Sequence, residues 1–100
     1  MLVMEIAMVQ AVENRTDIAG RIQAMRADPE RPGYRIVTLE VHNAAPVDGY
    51  ANMFSAAPGT RLDVLVTDDQ AQGMAPGKSV RCRIRRHGPA TVFGDSCTIE

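Results

Sequence analysis

One hundred residues, 45% of them hydrophobic, suffice for a single domain with one modest core and do not read as a disordered chain. A formal net charge of −1 excludes a strong whole-molecule attraction to nucleic acid or to an anionic membrane surface. No run approaches the roughly 18 apolar residues of a membrane span, and the apolar start lacks the basic flank of a secretory signal. A soluble cytoplasmic protein with one domain over residues 1–100 and no membrane role is therefore expected.

Leu2 to Val12 is nearly all apolar. Read as a strand it is buried on both faces, with Leu2, Met4, Ile6, Met8 and Val12 on one and Val3, Ala7, Val9 and Ala11 on the other. Its Met, Ala, Glu and Gln content also suits a helix. A polar break comes next, at Glu13 to Asp17.

Ile18 to Ala27 has two readings. As a helix within residues 17–27 it groups Ile18, Ile22 and Met25, with Thr16 or Asp17 as the N-cap, and gives an α+β fold. As a strand it groups Ile18, Gly20, Ile22 and Ala24, and Gly20 marks a bulge or bend. The strand pairs simply with the next segment of the chain. Asp28-Pro29-Glu30-Arg31-Pro32-Gly33 is a turn, and Tyr34 to Val41 alternates as a strand should, so a hairpin over 18–42 is expected.

Asn43 to Ala57 reads as loop, with a short apolar cluster at Tyr50, Met53 and Phe54. Two matched units come next. Ala57-Pro58-Gly59-Thr60-Arg61-Leu62-Asp63-Val64-Leu65-Val66 is echoed by Ala75-Pro76-Gly77-Lys78-Ser79-Val80-Arg81-Cys82-Arg83-Ile84. Each is a Pro-Gly turn feeding a strand, since Pro presets the first turn position and Gly supplies the positive φ of the next. Leu62, Val64, Val66, Val80, Cys82 and Ile84 should face one core. His87-Gly88-Pro89 is a further turn before a brief strand at Thr91-Val92-Phe93, which ends before Gly94-Asp95. Two cysteines make no disulfide framework, so Cys82, on an inward phase, reads as a buried inert thiol.

These elements give an all-β chain, a small five- to six-stranded antiparallel barrel. The start at Ile18-Ala19-Gly20-Arg21-Ile22, the hairpin to Val41 and the two Pro-Gly strands together resemble the oligonucleotide/oligosaccharide-binding (OB) barrel. That resemblance is architectural and covers most of the chain. The phrase from Ala57 to Val66 also resembles a segment of the cupredoxin domains of multicopper oxidases. A type I copper site would need two His, one Cys and an axial ligand. His42, Cys82 and His87 stand in that order. No Met comes after His87, however, and Cys82 and His87 fall on opposite strand faces, so no metal or other cofactor is expected.

Chemistry is concentrated on one strand face. Arg81, Arg83 and Arg85 alternate with Val80, Cys82 and Ile84, which sets three guanidinium groups about 6.6 Å apart along one side. Lys78, Arg86 and His87 extend the group at both ends, and no acidic residue lies between Lys78 and His87. Forks at that spacing suit phosphates along a strand. The opposing expectation is a solvated face whose arginines pair with carboxylates on neighbouring strands. Tyr34 is the ring expected outside, where it could stack on a base, although core or rim packing is the commoner use of each aromatic in so small a barrel. No catalytic triad, nucleophile elbow or phosphate-cradling loop is present, so no enzyme is expected. The sequence thus describes a non-catalytic binding module that recognises an anionic ligand or nucleic acid through Lys78, Arg81, Arg83, Arg85, Arg86 and Tyr34. The second reading is a structural protein that self-associates as a homo-oligomer or joins a larger assembly, because Leu2 to Val12 exceeds what one small core absorbs.

Overall fold

Alternation decides the strands. Thr16, Ile18 and Ile22 are buried while Asp17, Ala19 and Arg21 turn outward, and the same phase recurs along the chain. The computed structural model describes residues 13–100, and the expectations for Leu2 to Val12 lie outside the described residues. Among the described residues there are five strands: β1 (Thr16–Ala27), β2 (Tyr34–Pro46), β3 (Arg61–Thr67), β4 (Ser79–His87) and β5 (Thr91–Ile99). No helix occurs among the described residues.

The helical alternative over 17–27 is excluded, because β1 is paired on both sides, with β2 and with β4. Gly20 is the reason that segment can be a strand. A Cβ there would lie 2.3 Å from the carbonyl oxygen of Glu40, so only glycine permits the close approach of β2 beside the irregularity between Ala19 and Gly20. β2 runs to Pro46, into the stretch expected as loop.

The strands close into a barrel in the order β1-β2-β3-β5-β4, with β4 returning to β1. Every ladder is antiparallel except β3–β5, which is parallel and rests on the single pair Leu65↔Phe93. An odd number of strands cannot alternate direction all the way round a ring, so one parallel seam is unavoidable. The architecture is consistent with a small OB-like barrel.

Both Pro-Gly turns form as the sequence predicts, with φ of 88° at Gly59 and 93° at Gly77. Val64, Val66, Val80, Cys82 and Ile84 are buried, Leu62 packs partly buried against them, and Arg81 and Arg83 face outward. Phe54 and Ala57, from the β2–β3 loop, are buried against the same core. Asn52 ties that loop to the barrel: its Oδ1 accepts from the Thr16 hydroxyl at 2.7 Å and from the Phe54 amide at 3.1 Å. Asn14 acts as a substitute rung at the start of β1. Its side-chain amide donates to the Arg86 carbonyl at 3.1 Å, and its Oδ1 accepts from the Arg86 amide at 2.7 Å.

Two expectations fail together at the end of the chain. β5 does not stop at Phe93 but continues to Ile99. Gly94 is no terminator: it turns inward where a Cβ would meet Val64 and Val66 methyls at 3.1 Å. The longer strand carries Cys97 opposite Cys82, with Cα atoms 4.1 Å apart, and the two are joined in a disulfide. Cys82 is therefore not a free thiol, and it is not available as a thiolate ligand for copper.

Candidate anion-binding face

The outer side of β4 carries the arginine ladder, and each of its three guanidinium groups meets a carboxylate. Arg83 forks onto Asp17 of β1, with its Nε and Nη2 donating at 2.8 and 3.1 Å. The Nε of Arg85 donates to Asp95 of β5 at 3.0 Å, and Arg15 reaches the same carboxylate at 3.4 Å. Arg81 pairs with Glu100. The Arg81 and Arg83 pairs are exposed and the group around Asp95 is partly so, and pairs in contact with water add little net stability.

The hydrogen bond from Arg83 is the main cause that holds the Asp17 carboxyl below its ordinary value of 3.8; slight desolvation opposes it, and the charges of Arg83 and Arg81 add to it. The same bond raises the Arg83 guanidinium. An acid depressed by folding stabilises the native state above its unfolded value, and that contribution disappears as the pH falls through the lower native value. The acid limb of a urea-midpoint profile, from roughly pH 5 to pH 2, should therefore be shallower in Asp17→Asn than in wild type. Superimposable limbs would show that Asp17 is not linked to folding.

The remaining predicted residues separate. Arg86 leaves the ladder: its guanidinium lies 4.9 Å above the buried ring of Phe54 and donates to the Pro89 carbonyl at 3.2 Å. Lys78, on the turn before β4, has no carboxylate partner among the described residues. Tyr34 is half-buried on the rim, and Tyr50, 41% accessible, is the exposed ring instead. Tyr34 nonetheless joins the ladder through a residue the sequence did not single out. Its ring meets Phe93 edge-on at 6.1 Å, His87 does the same at 6.1 Å, and Arg85 sits 4.7 Å over the Phe93 ring.

Beside Arg81 and Arg83 runs an open groove of about 470 Å³ across the outer faces of β2, β1, β4 and β5. Small side chains, Ala19 and Ala45, lie along it, and Asn43, Ser96 and Thr98 line its walls. None of those three polar side chains has a partner among the described residues. Arg21 and Arg61 were also missed. They lack a carboxylate partner among the described residues, and register places both opposite Glu40, with Arg21 opposite Ser79 as well. Strand pairing alone brings Arg21 beside Ser79 of β4 and sets Arg61 on the far side of Glu40; nothing local in the sequence does.

No protein-family model matches the chain, and no curated protein matches it. The reading of this face rests on its own geometry.

Proposed function

We propose that the chain is a non-catalytic, OB-like binding module that takes single-stranded nucleic acid or a similar polyanion along the outer face of β4. The observation that carries this reading is the continuity of the face. Arg81, Arg83 and Arg85 stand in one line beside a groove with unpartnered amide and hydroxyl groups, and the line ends at the Phe93–Tyr34 rings. Phosphates would displace Asp17, Asp95 and Glu100 from the guanidinium groups one for one, and the rings would accept a base edge or face. Because each displaced carboxylate opposes the ligand, binding is weak and belongs to low salt.

The reading does not depend on a cytoplasmic location. A disulfide persists best in an oxidising compartment, so in the cytoplasm this face would work with the Cys82–Cys97 bond exposed to reducing thiols.

Fluorescence anisotropy with a labelled single-stranded oligonucleotide is the test. Three phosphate contacts should give a log–log salt slope of roughly −2. Arg83→Ala should weaken binding, and Asp17→Asn, which leaves Arg83 unpaired, should strengthen it several-fold. Absence of binding at the lowest salt by both wild type and Asp17→Asn would mean that the arginines serve only as a paired outer face.

A further inference from the structure

The second half of β5 is held differently from the first. Phe93 pairs with β3 as well as with β4, whereas from Ser96 to Ile99 the strand has β4 as its one ladder partner among the described residues. On its other side Gln70 donates to the Asp95 carbonyl at 3.0 Å, and the Ile99 side chain packs against the core. One covalent tie crosses the β4 ladder, the bridge from Cys82 to Cys97. An intact bridge keeps the two Cα atoms within about 7 Å, so residues 96–98 cannot leave β4 while it stands. Once it is cut, hydrogen bonds and packing alone retain the segment. A strand with one neighbour is the kind of element that opens without the rest of the fold.

The same segment closes on the arginine line. Glu100 supplies the carboxylate on Arg81, and its amide donates to the Ser79 carbonyl at 2.9 Å. Asp17, the partner of Arg83, belongs to β1, and Asp95, the partner of Arg85, comes before the bridge. Opening beyond Asp95 therefore frees Arg81 and leaves the other two pairs in place.

We infer that residues 96–100 are a strap over Arg81, latched by the Cys82–Cys97 disulfide and released by thiol reduction. The effect on a ligand rests on the anion-binding reading of the β4 face; the release itself does not. Cys97 is half-buried and Cys82 buried, so an incoming thiolate reaches the Cys97 sulfur. The S–S bond breaks, Cys82 leaves as the thiolate and takes up a proton, and a second thiol displaces the first from Cys97. Two electrons and two protons pass to the protein, and the reductant becomes a disulfide. Release also removes the Ser96 and Thr98 hydroxyls from the groove wall. The loss of the opposing Glu100 charge outweighs this for a polyanion, because phosphate affinity is mostly charge.

Hydrogen exchange read by mass spectrometry, with and without dithiothreitol, follows the strap, and oligonucleotide anisotropy at low salt follows the face. On reduction, exchange at residues 96–100 should rise at least about tenfold while β1, β2 and β3 keep their protection. The reduced protein should bind several-fold more tightly. Glu100→Gln should give the same gain with the bridge intact, and Arg81→Ala should abolish the gain on reduction. Unchanged exchange at residues 96–100 would overturn the inference. So would exchange that rises equally in every strand, which would make the bridge a clamp on the whole barrel. A released strap with no gain in a protein that does bind would overturn the control of the face. Release without binding in either redox state would remove the anion-binding reading and leave the redox-released strand standing.

Discussion

Reduction of the Cys82–Cys97 bond is expected to lower the free energy of unfolding by about 3 kcal/mol, the loop-closure value for a bridge of this span. The cysteines are 15 residues apart, and a free chain must forfeit that much additional freedom to bring them together. For a domain of this size the thermal midpoint should fall by roughly 12 to 24 °C. Circular dichroism melts with and without dithiothreitol measure it. Equal midpoints, or two titratable thiols in the untreated protein, would refute the bridge as a stabilising element. The bond also lies directly behind the groove. Cys82 sits between Arg81 and Arg83, and Cys97 between Ser96 and Thr98, four groove-lining residues in all. Its loss should therefore soften the face as well as the fold.

Gly20→Ala should be the most damaging single methyl that can be added to this barrel. The new carbon would lie 2.3 Å from the Glu40 oxygen, 3.1 Å from the Glu40 carbonyl carbon and 3.3 Å from the Val41 Cα. All three are backbone atoms, so no rotamer change relieves the overlap. β2 cannot easily retreat, because Val41 donates to the Thr60 carbonyl at 2.9 Å and accepts from Gly59 at 2.8 Å on its far side. A loss of about 3 kcal/mol is expected, the upper part of the usual range for overpacking. Gly94→Ala provides the comparison, since the carbon would there meet Val64 and Val66 methyls and the Cys97 sulfur at 3.1 to 3.2 Å, and it should be the milder change. Denaturant unfolding of both variants decides the ranking. A Gly20→Ala protein within about 0.5 kcal/mol of wild type would mean that β1 and β2 separate more freely than their register suggests.

The contrast between Gly20 and Gly94 shows what the sequence could and could not disclose. Period-2 alternation revealed the inward set on β3 and β4, because a strand buried on one face must repeat every second residue. The Pro-Gly turns were legible because their φ requirements admit few residues. Gly94 misled because, in one dimension, a glycine that ends a strand and a glycine that fits a crowded interior look alike. The disulfide was hidden by the same error and by a bulge. Carried down unbroken, the His87↔Thr91 register would set Cys82 opposite Ser96, and the irregularity between Arg83 and Ile84 shifts it to Cys97. The arginine line was legible as a line. Its carboxylate partners were not, since Asp17 lies 66 positions from Arg83 and meets it only because β1 and β4 close the ring. Phe93 escaped notice for a related reason: its importance comes from Tyr34, Arg85 and His87 arriving around it from other strands.

The seam between β3 and β5 makes the ring unequal around its circumference. Elsewhere the strands are zipped by ladders several residues long, whereas here a single register pair, Leu65 with Phe93, completes the circle. Thermal breathing that parts those two residues turns the cylinder into a curled ribbon with two raw margins while every hairpin stays intact. Phe93 is also the ring on which Arg85 and Tyr34 converge. The weakest joint of the wall and the aromatic end of the arginine line are thus the same residue, so a molecule bound across Phe93 would act as a clasp that keeps the cylinder shut.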